Sequence, residues 1–375
     1  MIEAEQAWEH LTVLAREPRP AGSAAEGRAR EYCSGVLREC GFTISEETFE
    51  YSTLPGRAAT PAIGLGWMAT IALASYLGAR DARLAPLVIL IIGGIAMAAS
   101  AYWLARYGVL ELAYGRTSGV NLVATRGKPS VWLMAHLDSK SQPVPIGLRA
   151  AGVMLSIVVW LAALAVGAGQ AIGAWNLPGI WTLLGVAGVF AGLPIAASVV
   201  GTRSPGAVDN ASGVAAVLIS ACAIPREREM GVFLTSAEEL GLAGARSLAR
   251  DREPGVVINF DGCDDAGMIR LTYSGKRPQV LLEGLAAGAR EAGLHVATGR
   301  LLPGVLLDGV ALADGGWDVV TVSKGTLGTV ARIHTARDSL AELRDNGRGA
   351  REAASLVSGT VMRMRFHKES NDSGG

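Results

Sequence analysis

The segment VWLMAHLD occupies residues 131–138, and the prediction of the fold begins from its pattern. A short apolar run ends in the polar residues His136 and Asp138. This is the pattern of a buried parallel strand that ends at the carboxyl edge of a sheet. Other apolar runs bounded by polar turns recur along the chain. They predict strands at 42–52, 119–126, 231–235, 255–260 and 318–323.

Segments with helical periodicity lie between these apolar runs. They predict helices near 3–15 and 22–39, after Asn210, from about 241, near 278–292 and near 339–363. Because strands and helices alternate, the helices are expected to cover both faces of one sheet. The sequence therefore predicts an α/β fold with three layers, α/β/α, around a mostly parallel, twisted sheet.

Long stretches without a charged residue interrupt this alternation. Residues 58–79 and 84–105 carry no charge, and about 22 residues suffice to cross a bilayer core. A third uncharged stretch, 150–202, is broken near its middle by the turn-like string GAWNLPG. Core helices of a soluble protein are the alternative, but four such runs favour membrane insertion. The predicted transmembrane hairpins are 58–106 and 149–202.

Each hairpin returns the chain to the side from which it came, so the remaining segments can form one domain. This domain is predicted to comprise 1–57, 107–148 and 203–366, followed by a disordered tail at 367–375. Four arginines flank the spans on the side of the domain, whereas Arg80 and Arg83 lie on the other side. Because cytoplasmic flanks carry an excess of Lys and Arg, the domain is predicted to be cytoplasmic.

Composition limits the possible partners. Half of the residues are apolar, 18% are charged, and the formal net charge is zero. The chain lacks a basic run of the kind that neutralises phosphates, so a nucleic-acid partner is not expected. The cysteines Cys33, Cys40, Cys222 and Cys263 show no CxxC spacing. They are predicted to be ordinary buried thiols, which favours a reducing compartment.

Five polar clusters follow predicted strands or begin predicted helices. They are HLD at 136–138, DNASG at 209–213, EE at 238–239, Asp261, and IHTARD at 333–338. Each cluster alone is common as a turn or a helix cap. Together they supply His, Asp, Glu, Asp and His, which suit hydrolytic zinc when one carboxylate bridges two ions. Two zinc ions are therefore expected at the carboxyl edge of the sheet.

The order and residue sequences of these motifs resemble those of the zinc aminopeptidase family, metallopeptidase family twenty-eight. This family includes aminopeptidase S, aminopeptidase Y and glutamate carboxypeptidase II. The strings SPGAVDNASGVAAVL, TSAEELGLAGAR and IHTARDSL carry the resemblance. It implies the zinc exopeptidase fold and a peptide substrate. The ligands that it implies are a bridging Asp209, then His136 and Asp261 for one ion, and Glu239 and His334 for the other.

The resemblance also assigns Glu238 as the general base. Adjacent glutamates on a turn point in different directions, so one can bind metal while its neighbour takes a proton from water. Asp138 is expected to accept the second imidazole N–H of His136 and so fix the ring. Asp308 resembles a family position near the substrate. The predicted activity is that of an aminopeptidase, the commoner activity of the family.

Several alternatives remain at this stage. A relative that cyclises N-terminal glutamine would use one zinc ion, and the presence of both His136 and Asp261 argues against it. An inactive membrane receptor or scaffold would be expected to lose ligands, and none is missing. A transporter would need polar residues within the spans, which contain almost none. Both hairpins adjoin ligand-bearing segments, so the site is expected to open near the membrane and to admit short peptides or exposed protein ends.

Overall fold

The computed structural model describes residues 2–302 and 304–363. The chain divides into two units. The first comprises the residues up to Tyr51, Thr117–Lys140 and the chain from Thr202 onward, and the second comprises Ser52–Arg116 and Ser141–Gly201. The tail predicted at 367–375 lies outside the described residues. The chain thus leaves the first unit twice and returns to it twice.

An eight-stranded sheet organises the first unit. Its strands are β1 Thr43–Ser52, β2 Arg116–Arg126, β3 Val131–His136, β4 Met230–Thr235, β5 Val256–Cys263, β6 Met268–Tyr273, β7 Val296–Arg300 and β8 Asp318–Gly325. Their spatial order is β1-β2-β4-β3-β5-β8-β6-β7. The central strands β4, β3, β5 and β8 run parallel. On either side of them, β2 pairs antiparallel with β4, and β6 pairs antiparallel with β8.

The α-helices of both units have the following bounds. In chain order they are α1 Ile2–Leu14, α2 Ala24–Glu39, α3 Leu54–Ala79, α4 Ala85–Trp103, α5 Val109–Glu111, α6 Ile146–Ala171, α7 Pro178–Ala196, α8 Gly213–Ala223, α9 Ala243–Asp251, α10 Gln279–Glu291, α11 Asp308–Asp314, α12 Leu327–Arg332 and α13 Arg348–Arg363. α2 begins where the Ser23 side chain accepts the Glu26 N–H, as expected for an N-cap.

Two apolar clusters lie on opposite faces of the sheet. Leu133 belongs to the larger cluster, which α1, α2, α8, α10 and α13 complete. Its neighbours Trp132 and Met134 belong to the second cluster, together with residues of α9 and α11. This alternation follows from the two-residue period of a strand. Helices therefore cover both faces, and the first unit has the predicted α/β/α layers.

The sequence did not predict β6, β7, α11 or α12. β6 and β7 are short and form no apolar run. The first four residues of β6 alternate between exposed and buried, and β7 has no fully buried residue. The antiparallel pairing of β6 with β8 also differs from the parallel pattern that the central strands suggest. The final helix begins at Arg348 and not near 339, because a short 3₁₀ turn, Leu340–Glu342, precedes it.

The second unit consists of apolar helices. Four of them, Leu54–Ala79, Ala85–Glu111 (α4 with its extension), Ile146–Ala171 and Pro178–Ala196, are long and apolar enough to cross a membrane. Glycines allow α3 and α7 to approach closely, since a Cβ at Gly78 would lie 2.3 Å from the Trp181 ring. The Trp67 indole N–H donates to the Gly188 carbonyl at 2.8 Å. Other large side chains, such as Ile95 and Phe190, are exposed.

The cysteine prediction was wrong for one pair. Cys40 and Cys222 form a disulfide between the end of α2 and α8, with their Cα atoms 5.1 Å apart. Cys33 and Cys263 are free and buried, as expected. The bonded cysteines are 182 positions apart, and spacing along the chain carries no information about such a pairing. The cysteines therefore no longer favour a reducing compartment.

Candidate metal centre

The predicted ligands converge at the carboxyl edge of the central strands. His136 is the last residue of β3, Glu238 and Glu239 follow β4, and Asp261 lies near the end of β5. Because these strands are parallel neighbours, their ends meet at one edge of the sheet. The remaining two ligands reach the same edge from an irregular turn, Ala207–Ser212, and from the loop after α12.

Asp209 lies between the two histidines. Its Oδ1 is 3.2 Å from Nε2 of His136, and its Oδ2 is 2.9 Å from Nε2 of His334. Around this carboxylate, Oδ1 of Asp261 lies 3.9 Å from His136 Nε2, and Oε1 of Glu239 lies 3.4 Å from His334 Nε2. One carboxylate thus faces both imidazoles with different oxygens, which is the arrangement expected of a bridging ligand.

Two groups of side chains could each hold a metal ion. The first is His136, Glu238 and Asp261, and the second is Asp209, Glu239 and His334. Within each group the candidate ligand atoms lie within 4.8 Å of one another. His136 and Asp261 belong to the same group, and Glu239 and His334 belong to the other, as in the predicted ligand sets. The placement of Glu238 in the first group leaves its role, base or ligand, as a prediction.

Unsatisfied atoms at this site fit a bound cation. Nε2 of His136, Oε1 of Glu239 and Oδ2 of Asp261 are buried and have no hydrogen-bond partner within the described chain. Buried polar atoms are normally paired, because leaving one unpaired costs free energy. Imidazole nitrogens and carboxylate oxygens are the donors that zinc prefers in hydrolytic sites. The residues present therefore fit the two-metal site that the sequence predicts.

The charges of the site determine its protonation. Burial alone would raise the pKa of Asp209, but the neighbouring imidazoles of His136 and His334 hold it well below its usual value. Burial raises the pKa of Asp261 to about 8. Burial would lower the pKa of His334, but the charge of Glu239 outweighs it and raises the value to about 9. Without metal, the site thus retains protons on several candidate ligands near neutral pH.

Zinc affinity is therefore expected to rise with pH. A zinc ligand must be deprotonated, so binding must displace the His334 proton below pH 9 and the Asp261 proton below pH 8. Each displaced proton makes the binding constant rise about tenfold per pH unit below the corresponding pKa. Titration calorimetry from pH 6 to 8, in buffers of different ionisation enthalpy, measures the protons released. At pH 6, release of fewer than one proton for each bound ion would contradict the protonation described above.

Asp138 supports the glutamate turn. Its carboxylate accepts the backbone N–H groups of Glu238 and Glu239, both at 3.1 Å. Nδ1 of His136 lies 3.0 Å from the Asp138 backbone carbonyl and 3.6 Å from its carboxylate. The main chain of Asp138, and not the predicted carboxylate, therefore makes the hydrogen bond to the imidazole. The side chain instead fixes the two glutamates relative to β3.

Asp338 has the same role for the bridging ligand. Its carboxylate accepts the N–H groups of Val208 and Asp209, at 2.8 and 3.0 Å. Asp338 is fully buried, and burial raises its pKa to about 6. This residue ends the motif IHTARD, but its role could not be predicted from the sequence, because a motif letter does not show which main chain a carboxylate will reach. Two aspartates thus hold two ligand-bearing turns.

The turn that carries Asp209 depends on two neighbours. Gly206 has φ 63°, and a Cβ there would lie 2.4 Å from the Asp209 carbonyl oxygen. Asn210 donates to the Phe260 carbonyl at 2.8 Å and accepts the Gly262 N–H at 3.2 Å. This asparagine therefore ties the turn to the end of β5, on either side of Asp261. A glycine and an amide at these positions are requirements of the local backbone.

Arg19 joins two ligand-bearing loops and was missed in the sequence. Its side chain is 2% exposed. It donates to the carbonyls of Leu137, at 2.8 Å, and Gly206, at 3.2 Å. Further acceptors are the carbonyls of Leu14 and Pro205. The guanidinium thus connects the loop after β3 with the turn that carries Asp209, through main-chain atoms whose identity no side-chain pattern reveals.

Replacing Arg19 by methionine is expected to destabilise the protein strongly. Several buried carbonyls would lose their donors, so the free energy of unfolding should fall by about 3 kcal/mol or more. Arg16→Met, at an exposed arginine of the same segment, is the matched control. Urea unfolding of the two detergent-purified variants measures the difference. A change below about 1 kcal/mol would show that other donors replace the guanidinium.

Asp308 and Lys140 also belong to this centre. Asp308 begins α11, is fully buried, and accepts a hydrogen bond from the Thr235 hydroxyl through Oδ2. Burial raises the pKa of Asp308 to about 6. Nζ of Lys140 lies 2.5 Å from Oε2 of Glu239. A lysine in contact with a candidate metal ligand was not foreseen, since HLDSK shows no feature that distinguishes it from a surface lysine.

Residues 193–357 match peptidase family M28. The matched segment includes every candidate ligand except His136. None of the curated proteins compared is significantly similar to the chain. Among solved structures, the fold is similar to BSAP, a zinc aminopeptidase from Bacillus subtilis, with a TM-score of 0.56 and 16% identity over 96% of this chain and 94% of that chain.

Other solved structures with this fold include a second aminopeptidase and a glutaminyl cyclase. The aminopeptidase from Aneurinibacillus sp. strain AM-1 aligns with a TM-score of 0.53 and 15% identity, over 96% of this chain and 93% of that one. The glutaminyl cyclase from Bacteroides thetaiotaomicron aligns with a TM-score of 0.55 and 13% identity, over 97% and 98%. At such identities the similarity establishes the mixed α/β fold, which aminopeptidases and cyclases share.

Proposed function

We propose that this chain is a membrane-embedded exopeptidase of family M28 that uses two zinc ions and acts as an aminopeptidase. The observation that carries the proposal is the position of Asp209, which faces His136 with one oxygen and His334 with the other. The family match and the aminopeptidase folds support it. A carboxylate shared between two sets of ligands is what a two-metal hydrolase requires.

We assign the candidate ligands to two zinc ions as follows. His136 and Asp261 would hold one ion, Glu239 and His334 the other, and Asp209 both. Zinc, when bound, would supply a water molecule that loses its proton near neutral pH and attacks a peptide carbonyl.

Glu238 is the proposed proton carrier. Burial raises its pKa well above the usual value, and the charge of His136 partly offsets this. It takes the proton of the attacking water and gives it to the amine as the C–N bond breaks, so that one water is consumed for each bond cleaved.

The composition of the second unit supports insertion in a bilayer. Its four long helices are apolar, and side chains such as Ile92 and Leu183 are more than half exposed. Large exposed aliphatic side chains on several helices are expected in lipid and are unusual in water. With both hairpins in the membrane, the first unit would remain at its surface and act on short peptides or on exposed ends of membrane proteins.

The disulfide supports a first unit on the oxidising face of the membrane. The arginine excess predicted the cytoplasmic face, but disulfides rarely persist in the cytoplasm. A membrane-impermeant maleimide applied to intact cells should therefore label Glu253→Cys, an exposed site in the first unit. It should not label Asp81→Cys, in the turn between α3 and α4. The reverse pattern would restore the cytoplasmic prediction.

The activity is tested with paired peptides. Full-length protein in detergent with zinc is incubated with short peptides whose N-termini are free or acetylated, and products are followed by mass spectrometry. Stepwise loss of residues from free N-termini only is the expected result. Cleavage from the carboxyl end would identify a carboxypeptidase, and no cleavage of either set would contradict the proposal.

A glutaminyl cyclase is the second candidate, because solved cyclases share this fold. The same peptide mixture distinguishes it when peptides that begin with glutamine are included. A cyclase would release ammonia from the N-terminal glutamine without consuming water. Zinc content is the second criterion, since the cyclase alternative requires one ion and the peptidase requires two.

A further inference from the structure

The ion pair between Lys140 and Glu239 is largely buried. Nζ lies 2.5 Å from Oε2, and the two side chains are 18% and 4% exposed. The contact places the ammonium group directly against one oxygen of a candidate metal ligand.

The two oxygens of Glu239 have different surroundings. Oε2 contacts Lys140. Oε1 is buried, lies 3.4 Å from Nε2 of His334 and has no hydrogen-bond partner among the described residues. The two oxygens of this carboxylate therefore have different partners. One is paired with the Lys140 ammonium, and the other faces His334, a member of the second group of candidate ligands.

The backbone next to Lys140 is firmly held. The Ser139 N–H donates to the Arg19 carbonyl at 2.9 Å, and its hydroxyl donates to the Ser204 carbonyl at 2.9 Å. The same hydroxyl accepts the Arg19 N–H at 3.0 Å. Because three hydrogen bonds fix the preceding residue, the lysine side chain starts from a defined position and does not need to be ordered by Glu239 alone.

We propose that Lys140 is a positioning residue that occupies one oxygen of Glu239, so that a metal ion shared with Asp209 and His334 receives only the other oxygen. The inference rests on the two-metal site of the proposed function. A glutamate limited to one oxygen leaves a coordination position open for water or substrate, as catalytic zinc sites require. The ammonium also adds a fixed positive charge beside the centre.

A competing interpretation gives Lys140 no role in the loaded enzyme. In it, the ammonium leaves Glu239 when a metal ion binds, and Glu239 then coordinates as it would without the lysine. The two interpretations differ in the coordination of the second ion and in the acidity of the water that it activates, and both can be measured.

The test compares Lys140→Met, Lys140→Gln and Lys140→Arg with wild type and with Lys128→Met, at an exposed lysine. Full-length proteins are loaded with two equivalents of cobalt, and their visible absorption is recorded. Met and Gln are expected to reduce the absorption of the second ion, because Glu239 can then bind through both oxygens and raise the coordination number. Arg and the Lys128 control should resemble wild type.

The pH profile of kcat/KM gives an independent readout. Removing a positive unit charge a few ångströms from the centre should raise the apparent pKa of the acidic limb by about one unit or more in the Met and Gln variants. Unchanged cobalt spectra and an unchanged limb in both variants would overturn the role of Lys140. Failure of the wild type to bind two cobalt ions would instead overturn the proposed function, and this inference with it.

Discussion

Replacing Glu238 by glutamine is expected to lower kcat by about 10²- to 10⁴-fold while the protein still binds two zinc ions. Glutamine has the same shape, and the backbone N–H of residue 238 would still donate to Asp138. The amide, however, cannot accept the proton of the attacking water. The loss should therefore fall on the chemical step, with KM changed little.

The matched control is Glu253→Gln, at an exposed glutamate of the first unit. Both variants are compared with wild type for kcat, KM, zinc content and unfolding midpoint. A Glu238→Gln protein that keeps more than about a tenth of the activity would exclude Glu238 as the essential base. One that loses an ion would show that Glu238 is a ligand of the first metal group, together with His136 and Asp261.

The sequence predicted the α/β fold and the edge of the sheet at which the candidate ligands lie, because both follow from local pattern. Apolar runs predict the buried central strands, and the polar residues that end them must meet at one edge of a parallel sheet. His136 and Asp261 could therefore be placed together before any coordinates were known. The uncharged stretches predicted the four long apolar helices for a similar reason, since length and composition alone determine whether a helix can cross a bilayer.

The supporting residues could not be predicted because they act on main-chain atoms. Arg19, Asp138 and Asp338 bind backbone N–H or carbonyl groups of loops that are distant in sequence. Such partners depend on the three-dimensional course of the chain, which residue identity does not encode locally. The Cys40–Cys222 disulfide escaped prediction for the same reason. The short strands β6 and β7 lack an apolar run and are specified by their pairing with β8 and with each other.

Replacing Asp209 by asparagine is expected to have the largest effect of any single change at the site. The carboxylate is paired with His136 and His334, and these imidazoles hold its pKa well below the usual value. Asparagine removes the negative charge that two cations would share. Activity should fall by roughly 10⁴-fold or more, and at least one zinc ion should be lost, because a neutral amide cannot compensate two dications.

The control for Asp209→Asn is Asp318→Asn, an exposed carboxylate at the start of β8. Zinc content after dialysis and kcat/KM are measured for both. If Asp209→Asn retains two ions, Asp209 does not bridge them. The contacts of its two oxygens with His136 and His334 would then be ion pairs with protonated imidazoles and nothing more. If the variant loses one ion and keeps substantial peptide cleavage, one zinc ion suffices for the reaction, and the proposed two-metal mechanism with a shared carboxylate is wrong.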